Sequence, residues 1–186
     1  MNKYSVITMQ KTIFTIGHST RTFEEFVTLL RIFSIEMLVD VRSYPGSKRY
    51  PHFNKDNLAK ELPLQNIFYE HIPALGGRRK TFPGSKNTAW KNDAFRGYAD
   101  YMEREEFTSG IEEIKKTAGT YRTAFMCSEA VWWRCHRSMI ADYLKTEGWN
   151  VLHILNDTNA LEHPYTTPAK IVGGRLSYRS AQQDLL

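Results

Sequence analysis

Short apolar runs alternate with stretches of helical period along the chain. Residues 12–19 (TIFTIGHS) read as a buried strand. In the segment TFEEFVTLLRIF, Thr22 stands at an N-cap with Glu25 three residues on, the spacing of a capping box. Phe23, Phe26, Val27, Leu30 and Phe33 then share one helical face, which predicts a helix packed on a sheet. Further strands are expected at 36–42 (EMLVDVR), 66–72 (NIFYEHI), 121–129 (YRTAFMCSE) and 150–155 (NVLHIL), with a short helix in NKDNLAKEL. The helical segments FRGYADYMEREEF and SGIEEIKKTA precede the fourth strand. CHRSMIADYLKTEG precedes the fifth and is stopped by Gly148.

Strands alternating with helices predict an α/β fold, because parallel neighbours need crossover helices. The expectation is a single three-layer domain over residues 1–186, a mostly parallel five-stranded sheet flanked by helices. Its core spans about residues 12–155, followed by a C-terminal extension over 156–186 whose weak periodicity leaves it either wrapping a sheet edge or fraying. Met9 lies just ahead of the first strand and could serve as the start. Residues 75–93 (LGGRRKTFPGSKNTAWKND) form a Gly- and Lys/Arg-rich connector longer than a passive loop needs, which suits a lid or binding loop.

Composition narrows the class. With 41% hydrophobic and 24% charged residues, and no run of about 18 apolar residues or basic-then-apolar leader, neither a membrane span nor a signal peptide is expected. A cytoplasmic location follows as the expectation. Two Cys in 186 residues make no disulfide framework, so they are read as thiols or ligands. The net charge of +5 suits a phosphate-bearing small molecule or a nucleic acid as partner, although many basic surfaces are simply solvated.

Ligands of open parallel sheets bind beyond the carboxyl ends of the strands. Those ends deliver His18 and Ser19, Asp40 and Arg42, Glu70 and His71, and Cys127, Ser128 and Glu129, while the fifth strand passes through His153. Such a concentration of imidazoles, acids and a thiol points to a common site. The stretch FMCSEAVWWRCHRSM carries both cysteines across a strand end, a loop and a predicted helix start, where phosphate or a reactive thiol is commonly held.

Three readings of that stretch stand side by side. Cys127 is a nucleophile, its thiol acidified by Arg134 or Arg137 and the helix end. Alternatively, Cys127, Glu129, Cys135 and His136 form part of a zinc or iron site. In the third reading both cysteines are small buried hydrophobes. Six residues separate Cys127 from Arg134, one more than in the glycine-rich phosphatase loop, so that loop is excluded. Asp40 and Arg42 either pair for structure or orient a substrate, and Ser43, Ser47, Lys48 and Arg49 make a turn that could hold phosphate. Trp132 and Trp133 pack the loop down or offer a stacking face to a base. His52 and His163 read as surface imidazoles. Arg78, Arg79 and Lys80 are a solvated run, or clamp an anion from a mobile loop.

The motifs TIGHSTRTFEEF, LVDVRSYPGSKRYPHF, YEHIPALGGRR, GYADYM, MCSEAVWWRCHRSMIADYL and VLHI resemble those of a large prokaryotic family known as domain of unknown function 488. The likeness covers about residues 13–178, with HPYT and LSY near its end. It implies a compact α/β domain with a shared polar cluster: His18, Ser19, Asp40, Arg42, Pro45, Tyr69, Gly76, Gly77, Cys127, Glu129, Cys135, His136 and Arg137. It implies no reaction. Ala130, Val131 and Trp132 stand where relatives often carry acidic or Pro residues, making this loop more apolar. A fainter similarity to rhodanese-type sulfurtransferases rests on VDVRSYP and on a cysteine after a later strand; it is an analogy of fold.

The functional expectation is an enzyme, a hydrolase or transferase, working by thiol or metal-assisted chemistry. Cys127 and Glu129 form its centre, and His18 and His136 act as acid/base or ligand groups. Ser19, Asp40, Arg42, Tyr69, Gly76, Gly77, Arg78 and Arg137 hold the anionic, phosphate-bearing substrate. The competing expectations are a non-catalytic nucleic-acid-binding module and a redox-responsive pair of Cys127 and Cys135.

Overall fold

The computed structural model describes residues 11–180; Met9 and the last residues of the C-terminal extension lie outside that range. The elements are β1 (Thr12–Gly17), α1 (Phe23–Ile32), β2 (Met37–Asp40), α2 (Lys55–Glu61), β3 (Phe68–His71), α3 (Asp93–Met102), α4 (Glu105–Thr120), β4 (Thr123–Cys127), α5 (Arg137–Thr146), β5 (Asn150–Ile154), β6 (Ala160–Glu162), β7 (Lys170–Val172) and β8 (Arg175–Ser177). Local signals set several boundaries. The Thr22 hydroxyl accepts from the Glu25 amide while the Thr22 amide donates to the Glu25 carboxylate, the reciprocal box that starts α1. Gly148, at φ +83°, takes the left-handed turn past the end of α5.

The main sheet has six strands in the order β3-β2-β4-β1-β5-β6. This corrects the expected five. The first five are parallel, and β6 runs antiparallel along β5. Three residues with little burial carry no readable period, which is why β6 escapes the pattern. Farther along the extension, β7 and β8 form a separate two-stranded ladder, turned by Gly173 and Gly174 at positive φ. A Gly-Gly pair between short apolar runs is a hairpin signal, and it was readable.

Alternate strand residues feed two separate apolar clusters. Ile13, Val39, Phe125 and Val151 pack with Tyr98, Phe107, Ile111 and Leu144 of α3, α4 and α5. Phe14, Ile16, Leu38, Ala124, Met126 and Ile154 pack with Phe26, Leu30 and Leu58 of α1 and α2. The chain steps from β1 past the β4 position to β2 and β3, then returns to insert β4 between β2 and β1. That reversal sets a crevice beyond the carboxyl ends of β1, β2 and β4. There Gly17 pairs with Cys127, and Asp40 pairs with Met126 on one side and His71 on the other. Among the described residues no helix is long and apolar enough to cross a membrane.

Candidate functional site

Strand parity divides the crevice into two halves. Asp40 and Arg42 lie two residues apart on β2 and its continuation, at the α1 and α2 side. Asp40 is fully buried and accepts from the Arg42 backbone amide at 3.0 Å, from Nε at 2.9 Å and from Nη2 at 2.6 Å. The Tyr69 hydroxyl adds a fourth bond at 2.8 Å. Tyr69 therefore secures Asp40 and does not line the crevice; burial, then the Asp40 charge, raises its pKa. Of the two readings for Asp40 and Arg42, the structure makes them partners. Arg42 Nη2 also donates to the Phe53 carbonyl at 2.7 Å, fixing its fork.

His18 stacks on Phe53 with ring centroids 4.2 Å apart. Its Nδ1 donates to the Ser19 carbonyl at 3.0 Å, since a carbonyl can only accept, which leaves Nε2 to accept from Arg42 Nη1 at 3.4 Å. Burial, then the Arg42 charge, lowers its pKa to about 4. At neutral pH this ring is uncharged and has no extra proton to give. Ser19 follows at φ 52°, a left-handed conformation uncommon for residues with a Cβ and a frequent companion of functional loops.

The other half hangs from β4 and the turn before α5. Cys127 Sγ, Cys135 Sγ and His136 Nδ1 lie within 4.8 Å of one another, with Nδ1 at 3.9 Å from Cys127 and 3.5 Å from Cys135. The helix begins at Arg137, so Cys135 and His136 belong to the turn that enters it, a correction of two residues to the expected start. His136 Nε2 donates to the Val41 carbonyl at 3.0 Å. With Nε2 donating to this carbonyl, Nδ1 is the ring nitrogen that faces the sulfur pair. The ring edge rests on Tyr98 at 5.2 Å.

The two thiols divide their acidity. The neighbouring Cys135 is the largest influence pulling the Cys127 thiol well below its usual range; His136 and Arg137 pull the same way against burial. Burial and the Cys127 charge push Cys135 well above it. Cys127 is thus the more acidic of the two thiols. Arg137 is 1% exposed, donates to the Glu129 carbonyl at 2.6 Å and to Thr15 Oγ1 at 3.5 Å, and makes no carboxylate ion pair among the described residues. A buried guanidinium stays charged and demands a counter-charge. Here its charge acts on Cys127, whose thiol pKa it helps to lower. Arg137 therefore sits beneath the crevice, where the sequence placed it against substrate.

A cavity of about 830 Å³ opens over both halves, lined by His18, Ser19, Arg42, Cys127, Glu129, Cys135 and His136 among others. Arg42, Arg49, Arg78 and Arg134 face it against one acid of the lining, Glu129. With Arg42 balanced by Asp40, three cations remain to attract an anion. Glu129 is exposed at the rim, outside the Cys–Cys–His group. Gly76 and Gly77 serve close packing: a Cβ on Gly76 would lie 2.4 Å from Ser43 Oγ, and one on Gly77 would lie 2.3 Å from His136 Nδ1. Of the basic run only Arg78 lines the cavity. Arg79 stacks on Tyr101 at 3.7 Å, and the backbone at 79–81 presses against Gly97, so this part of the loop is docked on α3.

Other expected members stay away. His71 Nε2 donates to the Arg42 carbonyl, and Glu70 accepts from Thr117. His163, read as a surface imidazole, is fully buried. His163 Nε2 donates to Asp142 Oδ1 at 3.0 Å, His163 Nδ1 is hydrogen-bonded to His153 Nε2 at 2.9 Å, and His153 Nδ1 to Thr15 Oγ1 at 2.7 Å. Thr15 in turn receives Arg137, so the chain of bonds props the guanidinium under Cys127. Burial, then His163, lowers the His153 pKa to about 2. Tyr98, Phe53 and the Val41 carbonyl were missed as supports, although all three lie in the motifs GYADYM and LVDVRSYPGSKRYPHF.

The family model described as "Domain of unknown function DUF488" matches residues 22–144. The chain belongs to this family. No curated protein and no solved structure matches it. Within the family match fall Arg42, Gly77, Cys127, Cys135, His136 and Arg137, whereas His18 and the His153–His163 prop lie outside it.

Proposed function

We propose that this member of the family is an enzyme, a hydrolase or transferase, that binds an anionic, phosphate-bearing substrate in the cationic cavity and attacks it with the Cys127 thiolate. The observation that carries this reading is the sulfur poised on the cavity floor between Cys135, His136 and a buried Arg137 without a carboxylate partner. A thiolate is the reactive form of cysteine, and cationic surroundings keep it populated. In this scheme Cys135 holds the shared proton, His136 Nδ1 exchanges it, and Glu129 at the rim is the acid/base group facing the leaving atom. Arg49, Arg78 and Arg134 hold the anion. A non-catalytic nucleic-acid-binding role is less favoured, because these cations converge on one cavity with a thiolate at its base.

A second reading rests on spacing. Tetrahedral zinc with Zn–S near 2.3 Å and Zn–N near 2.0–2.1 Å sets its sulfur and nitrogen ligands about 3.6 Å apart. The separations of 3.5 Å and 3.9 Å fit. The Val41 carbonyl supplies the outer partner that a ligating imidazole usually has. Cys127, Cys135 and His136 would hold the ion, and zinc would supply an activated water. The same closeness of the sulfurs serves the redox-pair reading.

Iodoacetamide alkylation followed against pH, with zinc and iron measured on the same untagged sample, separates these readings. One thiol reacting well below the ordinary midpoint of about 8.5, lost in Cys127→Ser while the urea unfolding midpoint holds, supports the nucleophile. Two thiols titrating at the ordinary midpoint would overturn it. Stoichiometric metal with both thiols masked would replace it by the metal reading.

A further inference from the structure

Beside the cationic cavity lies a second one of about 560 Å³, walled by Trp90, Phe95, Trp132, Trp133, Tyr165 and prolines. The two share Asn92 and Phe95 in their linings. Chain connectivity joins them again, because Trp133 walls the aromatic cavity while its neighbour Arg134 faces the cationic one. The sequence left Trp132 and Trp133 as either packing or stacking residues, and the structure divides the work. Trp132 is buried and stacks on His153 at 4.4 Å with rings nearly parallel. Trp133 meets Trp132 only edge-on at 86° and keeps 52% of its surface exposed, and Tyr165 keeps 38%.

Exposed aromatic faces beside an anion site suit one kind of ligand: a flat ring carrying a charged group. The faces of purines and pyrimidines stack on Trp and Tyr.

We infer that the aromatic cavity is a nucleobase subsite, so that the substrate is a nucleotide, its phosphate among Arg49, Arg78 and Arg134 and its base against Trp133 and Tyr165. This rests on the anion-binding part of the proposed function and adds the substrate class. The nucleotide comes either free or as the end of a single strand; both present the same base and phosphate.

The test is calorimetric titration of the full chain with inorganic phosphate, ribose 5-phosphate, adenosine and cytidine 5′-monophosphates, and a single-stranded trinucleotide. A nucleotide should bind roughly 5- to 150-fold more tightly than ribose 5-phosphate, the margin one stacked base provides. Trp133→Ala, at an exposed position, should erase that margin and leave ribose 5-phosphate binding unchanged, whereas Arg78→Ala should weaken both. The margin appearing with the monophosphates assigns a free nucleotide; its appearance with the trinucleotide alone assigns a strand end. Equal binding of nucleotide and ribose 5-phosphate, both weakened by Arg78→Ala, would overturn the base subsite while leaving the anion cavity standing. A margin that survives both Trp133→Ala and Tyr165→Ala would also overturn it. Absence of binding by every phosphate compound would remove the anion cavity and the subsite together.

Discussion

A methyl group on Gly77 would place its carbon 2.3 Å from His136 Nδ1 and 2.6 Å from Cγ, where ordinary contact begins at 3.4 Å. Ring and backbone must therefore part by about 1 Å, the difference of those distances. Neither side yields freely. The ring is tied to the Val41 carbonyl at 3.0 Å and backed by Tyr98, itself fully buried with its hydroxyl on the Leu75 carbonyl. Overpacking of this kind costs about 1–3 kcal/mol. The larger consequence is chemical. A displacement of that size moves Nδ1 off its 3.5 Å and 3.9 Å approaches to the two sulfurs, so the Cys127 thiol should drift back up toward its ordinary range. Each pH unit of drift cuts the thiolate fraction about tenfold below the midpoint. Gly77→Ala should then alkylate more slowly at pH 6–7 by roughly that factor or more, with the urea midpoint lowered. Gly46→Ala is the control: it lines the same cavity, but its Cβ meets nothing within 4 Å. Wild-type alkylation and stability in Gly77→Ala would refute the contact, and an equal loss in Gly46→Ala would show that the effect does not pass through His136.

Other expectations follow from the buried polar groups. Asp40→Ala strands the buried Arg42 charge and removes four accepted bonds, so unfolding free energy in urea should fall by about 3–5 kcal/mol; a loss under about 1 kcal/mol would show the pair to be solvated. His18 and His153 have folded pKa values of about 4 and about 2, both below 6.5. The unfolded chain thus binds more protons, and their contribution is complete above pH 6.5 and declines as pH falls, by up to about 1.4 kcal/mol per pH unit for each ring. The His18 part ends near pH 4 and the His153 part continues below it. A flat stability curve between pH 6.5 and 4 would contradict the buried neutral assignment. His163→Ala leaves His153 Nε2 without its partner and Asp142 without one donor, costing about 1–3 kcal/mol for each unpaired group. It should also slow Cys127 alkylation, because the prop beneath Arg137 is cut, and unchanged alkylation would confine the His153–His163 chain to stability alone.

Local physics made much of this protein legible in its sequence. Apolar period, the Thr22–Glu25 box and the turn at Gly148 depend on residues within one or two turns of each other, so five strands and five helices could be read directly. Polar residues at strand ends announced a site because a parallel sheet exposes those ends. What remained hidden depends on contacts between distant segments. Strand parity could separate Asp40 and Arg42 from Cys127, but only the insertion of β4 between β2 and β1 sets both beside one crevice while leaving Glu70 and His71 outside it. A charged residue looks alike in sequence whether it lines a cavity or lies beneath it. Arg78 and Arg137 parted because one follows a loop over the sheet edge, whereas the other opens a helix packed on it and is propped by Thr15, 122 residues away. His163 was buried, and Trp132 and Trp133 divided, by the return of the chain through β6, too short a strand to carry a period of its own. Tertiary packing alone decides which of two neighbouring tryptophans meets water, because that depends on what stands opposite.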